Sequence, residues 1–141
     1  MNHDEDLVGR IRSRGLPDAV VTIATRGGTA LHSALDYRAE SVEVSPRGPA
    51  WAVIAASGRA DLVPLWTCGT VTVFSADDGS FLEWDAEEDE PWTVWSDFAA
   101  VVRSLLTDLY EDEVSDAVRT EVARLLLPGD EVEAALTPEA R

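Results

Sequence analysis

Between Thr70 and Leu109 the spacing of apolar residues changes from every second position to every third or fourth, which a short chain can accommodate only by laying a helix on a sheet. Phe98, Val101, Val102, Leu105, Leu106 and Leu109 follow i, i+3, i+4, i+7, i+8, i+11, the pattern of a helix with one apolar stripe. Ser96 is the expected N-cap, with Asp97 as a first-turn acid that favours the helix dipole. Upstream, Val71 and Val73 alternate with Thr70, Thr72 and Phe74, and Leu82 and Trp84 alternate with Glu83 and Asp85. The turn Ala76-Asp77-Asp78-Gly79 joins these two strands into a hairpin. This alternation predicts one packed face and one wet, anionic face.

The rest of the chain supplies further elements. Asp4 to Arg14 reads as a short helix with Leu7, Val8 and Ile11 at helical spacing, ended by Gly15. Leu16-Pro17-Asp18 opens a second helix to about Thr25, stopped by Gly27-Gly28, although Val20, Val21, Thr22 and Ile23 are β-branched and also suit a strand. Ser41 to Ser45 reads as an edge strand, followed by a turn at Pro46-Arg47-Gly48-Pro49. Trp51 to Ala56 reads as a central strand, Ser57 to Asp61 as a turn, Leu62 to Thr67 as a returning strand and Cys68-Gly69 as another turn. A helix is expected from Asp112 or Ser115 to Leu126, ending at Pro128-Gly129. One helical turn and fraying after Pro138 complete the chain. The fold class expected is α+β: a mostly antiparallel sheet covered by N- and C-terminal helices, one domain over 1–141 in which 112–141 are additional C-terminal helices.

Size and charge bound the function. A folded chain of 141 residues exposes roughly 7,100 Å² and supports one core. Apolar residues make up 45% and there is a single cysteine, which favours a globular class over disorder or a disulfide scaffold. No apolar run approaches the roughly 20 residues of a membrane span. The beginning Met1-Asn2-His3-Asp4-Glu5-Asp6 lacks a secretory pattern, so a cytoplasmic location is expected. The net charge of -16 is uneven. Residues 1–76 hold 8 acids against 7 Arg and residues 77–141 hold 19 acids against 4 Arg, giving -1 and -15. A surface of that sign repels phosphate backbones, which argues against direct nucleic-acid binding. It speeds encounter with a basic protein.

The materials for catalysis are thin. His3 lies at the terminus, which leaves His32 as the structured base, and its neighbour Ser33 is adjacent only in sequence. Cys68, next to Gly69 at a turn, reads as a small packed residue and not as a reactive thiol. The acidic run Asp85-Ala86-Glu87-Glu88-Asp89-Glu90 offers oxygen ligands, but its spacing lacks the central glycine and alternation of an EF-hand, so a solvated loop is expected and no metal or cofactor. Glycoside hydrolysis needs one desolvated carboxylic acid, which six consecutive loop positions do not provide. Of the tryptophans, Trp51, Trp66 and Trp84 are expected in the core, while Trp92 and Trp95 flank the acidic loop and one of them can stand exposed. The surface expected to bind a protein partner is therefore Asp77, Asp78, Glu83, Asp85, Glu87, Glu88, Asp89, Glu90 and Trp92.

The order of these signals resembles the SUKH superfamily, small α+β domains that include bacterial immunity proteins and relatives of the yeast cell-wall-synthesis regulator family. The resemblance is carried by Leu16-Pro17 with Gly27-Gly28, by Trp51-Ala52-Val53-Ile54-Ala55-Ala56-Ser57-Gly58, by Gly69-Thr70-Val71-Thr72-Val73-Phe74, by Asp77-Asp78-Gly79, and by Trp95-Ser96-Asp97-Phe98 before Val101-Val102 and Leu105-Leu106. It covers residues 16–28 and 51–109; 29–49 and 112–141 lie outside it. The resemblance implies a sheet with helices packed against it, no enzymatic activity, and an immunity role against a bacterial toxin, often a nuclease, whose basic cleft the acidic hairpin turn and loop would fill. A regulatory adaptor without a toxin partner is the alternative that the yeast relatives imply.

Overall fold

The computed structural model describes residues 3–42 and 48–140. Four antiparallel strands form one meander: β1 (Val63–Cys68), β2 (Val71–Ser75), β3 (Phe81–Asp85) and β4 (Thr93–Trp95), in the order β1-β2-β3-β4. The sequence dictates this order because its connections are too short for a crossover. At the β2–β3 turn Gly79 takes φ +88°, and the Asp78 carboxylate accepts from the Ser80 backbone N–H (2.9 Å) and hydroxyl (2.6 Å). β1 carries a register shift between Pro64 and Trp66, a bulge that accommodates a residue with no N–H to donate.

Among the described residues there are six helices, α1 (His3–Ser13), α2 (Asp18–Arg26), α3 (Pro49–Ser57), α4 (Phe98–Glu111), α5 (Asp116–Leu126) and α6 (Gly129–Leu136), with short 3₁₀ turns at Gly28–Ala30 and Ser33–Leu35. The architecture is α+β, with helices flanking an antiparallel sheet. The helical boundary signals outweigh β-branching in α2, whose Val20, Ile23 and Ala24 are buried at helical spacing. The α4 stripe is buried from Val101 to Leu109 as its spacing predicts, with Phe98 half-buried at its start. Its N-cap is Asp97, whose carboxylate accepts from Ala100 N–H at 2.8 Å, and not Ser96, which lies one residue outside and is exposed. Ser115 caps α5 by accepting from Val118 N–H.

Three further expectations are corrected. Trp51 to Ala56 is helix, the body of α3, and not a central strand. Pro49 at the first position and a left-handed Gly58 at its C-cap, which donates its N–H to the Ile54 carbonyl, bound it. The tail does not fray after Pro138: α6 runs eight residues, Arg103 donates to the carbonyls of Thr137 (2.7 Å) and Pro138 (3.0 Å), and Glu139 N–H donates to the Thr107 hydroxyl (3.0 Å). Of the edge strand expected over Ser41 to Ser45, residues 43–45 lie outside the described residues, as do Pro46 and Arg47 of the following turn. Beside that segment Glu40 makes an isolated antiparallel bridge to Thr67.

The last of these corrections concerns the sheet faces. Register places Val73 opposite Glu83 and Glu83 opposite Thr93 on one face, with Phe74, Leu82 and Val94 aligned on the other. The face carrying Glu83, expected to be wet, is covered by α4: Phe98 packs its ring against Trp66 and Phe81, at centroid distances of 6.5 and 5.8 Å. An amphipathic helix needs an apolar floor, and Trp66, Val73 and Phe81 supply it. The opposite face, crossed by α3, buries Thr72, Phe74, Leu82 and Trp84. One buried cluster runs from Leu7 and Ile11 of α1 to Val132 and Ala135 of α6. The exposed area is 7440 Å², close to the value expected for a single core of this size. Among the described residues, no helix is long and apolar enough to cross a membrane.

Candidate functional site: an acidic loop beside an aromatic cleft

The expected binding residues fall into two groups at opposite ends of β3. Asp77 and Asp78 occupy the β2–β3 turn and are exposed. Local partners hold that end together: Asp61 accepts from Arg59 (3.1 Å) and from the Asp77 N–H (3.3 Å), and Arg14 donates to the Ser75 hydroxyl (3.1 Å). The Arg59 hydrogen bond, helped by the Asp77 N–H, holds the Asp61 carboxyl below the ordinary carboxylate range, and the Ser80 hydrogen bonds do the same for Asp78. The other group sits at least about 13 Å away, the length of a five-residue strand.

At that second end the loop carboxylates divide by role. Asp85 is half-buried and accepts from the Thr70 hydroxyl (3.0 Å) and Glu87 N–H (2.9 Å), so it shapes the loop. The Trp84 indole N–H donates to the Glu88 carbonyl at 3.0 Å, and Ala86 N–H donates to the Thr70 carbonyl at 3.0 Å. These bonds pin the backbone while the side chains of Glu87, Glu88, Asp89 and Glu90 point outward, all exposed. Among the described residues, none of the ion pairs involves these four. Trp92, at the loop's exit, is 56% exposed.

Trp92 also borders a cleft of about 180 Å³ between α4 and the sheet. Its sheet side is made by Trp66, Val71 and Val73, its outer wall by Trp92 and Trp95, and its helix side by Val101 and Leu105. Glu83, Ser104 and Asp108 line both this cleft and a more polar hollow that continues toward Thr93 and Glu139. Glu83, expected on an open anionic ridge, is half-buried here and accepts from the Thr93 hydroxyl at 3.2 Å. Arg38 closes one side with its guanidinium engaged, donating to both Asp112 oxygens (2.7 and 2.8 Å). That bidentate bond raises the Arg38 pKa further and lowers that of Asp112.

Ser104 and Asp108 were not expected at a site. Their signal was present in the helix, where both are polar positions bordering the apolar stripe and lie four residues apart, hence one above the other.

His32 has both ring nitrogens engaged in hydrogen bonds. The Ala34 N–H donates to His32 Nδ1 (3.0 Å), so Nε2 carries the proton and donates to Glu121 (2.8 Å). Neither ring nitrogen faces Ser33 as a base. Cys68, expected to be packed, is instead the exposed last residue of β1 at the cleft, because the strand ends there; partial burial of its thiol, opposed by Arg38 and reinforced by the carboxylates of Glu40, Asp108 and Glu83, pushes its pKa up. A raised pKa keeps the thiol protonated and unreactive near neutrality. Among the described residues, no group of three or more histidine, cysteine or acidic side chains is arranged to hold a metal ion. No family model, curated protein or solved structure matches the chain.

Proposed function

We propose that the protein is a non-enzymatic binding domain that recognises a basic protein, and that it acts as a cytoplasmic immunity protein of the SUKH type against a bacterial toxin, a nuclease being the favoured class. The observation that carries this reading is the loop Glu87 to Glu90: four exposed carboxylates on a backbone anchored by Trp84 and Asp85, outside the ion pairs of the described residues. Holding like charges together costs free energy that a cationic visitor returns, and the fixed backbone lowers the ordering cost of binding. A nuclease cleft that binds phosphate presents the complementary charge. The hairpin acids Asp77 and Asp78 stand too far along β3 to share the same small contact, so the loop end is the centre of the proposed surface.

The test begins with capture of the partner from the native host and continues with purified components. Neutralising the loop (E87Q/E88Q/D89N/E90Q) is expected to weaken affinity at least tenfold at low ionic strength and to flatten its dependence on salt. Unchanged affinity and unchanged salt dependence in that variant would remove the loop from the interface. A captured partner without toxin activity would remove the immunity role.

A further inference from the structure

We propose that the outer edge of β4 receives an extended, basic segment of the protein partner, which joins the four-stranded sheet as a further strand. This deepens the protein-binding reading and rests on it. The first argument is what the two edges of the sheet carry. At the β1 edge Glu40 exchanges both backbone hydrogen bonds with Thr67: its N–H donates to the Thr67 carbonyl (2.7 Å) and its carbonyl accepts from the Thr67 N–H (3.0 Å). β4 is the opposite edge, and among the described residues no backbone hydrogen bond reaches Thr93, Val94 or Trp95 from its outer side. Alternate residues of an edge strand turn N–H and C=O outward, so β4 offers the main-chain pattern on which an extended segment pairs.

The second argument is the surface beside that edge. Val94 is 61% exposed, and Trp92, where the chain enters β4, is more than half exposed. Val94 stands on the α3 face in line with Leu82, and Trp92 borders the cleft on the α4 face. Successive side chains of an incoming strand point to alternate faces, so each face gives one of them an apolar neighbour. Three residues of strand span only about 10 Å, which restricts pairing to a short segment and leaves selection to what flanks it.

The third argument is charge, and it decides the occupant. The chain reaches β4 from the loop Glu87–Glu90, whose exposed carboxylates stand outside the ion pairs of the described residues. A segment lying along β4 with arginine or lysine at its end brings those cations to the loop. A second copy pairing edge to edge would instead set one chain of net charge -16 against another. The loop thus admits a basic segment and refuses this chain's own edge, the charged protection that an open edge needs.

The experiment uses the full chain labelled with ¹⁵N and a synthetic peptide, Val-Thr-Val flanked by two arginines at each end, acetylated and amidated. Arginines at both ends let it pair in either direction. The expected result is saturable binding with a Kd on the order of 1 mM, as a short flexible segment allows. Amide shifts should centre on residues 92–95, and at saturation one or more amides of β4 should exchange with solvent about tenfold more slowly, which attraction by charge alone does not produce. The same peptide N-methylated through Val-Thr-Val keeps its side chains and charge and should bind about tenfold more weakly, as should the peptide with citrulline in place of arginine. Equal binding of either comparison peptide, shifts confined to residues 87–90, unchanged exchange in β4 or no saturation would overturn the proposal. So would dimers of the free protein in sedimentation equilibrium with β4 already protected, the result expected if a second copy held the edge. The peptide comparisons need no variant, so the result does not hinge on whether a substituted chain folds. A purified basic partner that loses affinity for the loop-neutralised protein yet leaves β4 exchange unchanged would sink this inference alone. Peptide pairing at β4 with no basic partner in the host would sink the partner reading and leave the edge.

Discussion

The two faces of the sheet are made from alternate residues of the same strands and are finished differently. On the α3 side Thr72, Phe74, Leu82 and Trp84 are each less than 7% exposed, and closure is tight enough that the Thr72 hydroxyl is buried with no hydrogen-bond partner among the described residues. On the α4 side packing is complete near Phe98 and stops short further along the helix, leaving the cleft with Glu83 and Asp108 in its wall. A chain selected for stability alone would fill that gap with one more branched side chain. Local departures from close packing that retain charged groups are where function is to be sought.

The contrast is broken most forcefully at the tryptophans. Trp84→Ala removes a buried ring from the closed face together with its bond to the Glu88 carbonyl, and is expected to cost about 3–5 kcal/mol in denaturant unfolding. Trp92→Ala, on the open side, should change stability by less than about 0.5 kcal/mol. Similar losses from the two would mean that the faces are equally structural. Next in size is Thr72→Val, which trades an unpartnered buried hydroxyl for a methyl of the same shape; a gain of about 1 kcal/mol is expected, and a loss would show that the hydroxyl has a partner in solution. Val71→Leu intrudes on the cleft from the sheet. It should raise stability by about 0.5 kcal/mol in denaturant unfolding, because the added methylene fills part of that space; a loss would show that the cleft wall has no room for it.

The closed face was more legible in the sequence than the open one, for a physical reason. Period-two alternation separated Phe74 from Val71 and Val73, and Leu82 and Trp84 from Glu83, and period-3.6 spacing placed Leu105 and Leu106 inward, because both patterns are local; which strand faces matched across the hairpin came from the register. Alternation could not say that a helix would return to cover Glu83, since that cover comes from residues fifteen and more positions downstream. The strand reading of Trp51 to Ala56 failed because a uniformly apolar run has no period; Pro49 and Gly58 at its ends held the helical information. The acidic loop was read from composition, and its exposure follows from it. The cleft was not readable, because Arg38, Cys68, Glu83 and Asp108 are brought together only by the tertiary fold. The anchoring of the tail by Arg103, across more than thirty residues, was invisible on the same grounds.

The smallest expected effect separates the open face's border from its interior. The Arg38–Asp112 pair ties the segment after α2 to the end of α4, with both side chains about a quarter exposed (27% and 28%). Because the Asp112 pKa is depressed in the folded state, chiefly by the Arg38 hydrogen bond, the pair's contribution is present above the unfolded carboxylate value of about 4 and fades as pH falls through the lower folded value. Solvent screening limits that contribution to under about 1 kcal/mol. Unfolding of native protein and of Asp112→Asn, compared from pH 7 down to 2, should therefore show a gap that is constant above about pH 5 and closes toward pH 2. Asp61 loses its Arg59 bond over the same range, but it does so in both proteins and cancels in the difference. A gap that widened on acidification would mean that Asp112 is held neutral in the fold, and Arg38 would then be an unpaired cation at the border of the cleft.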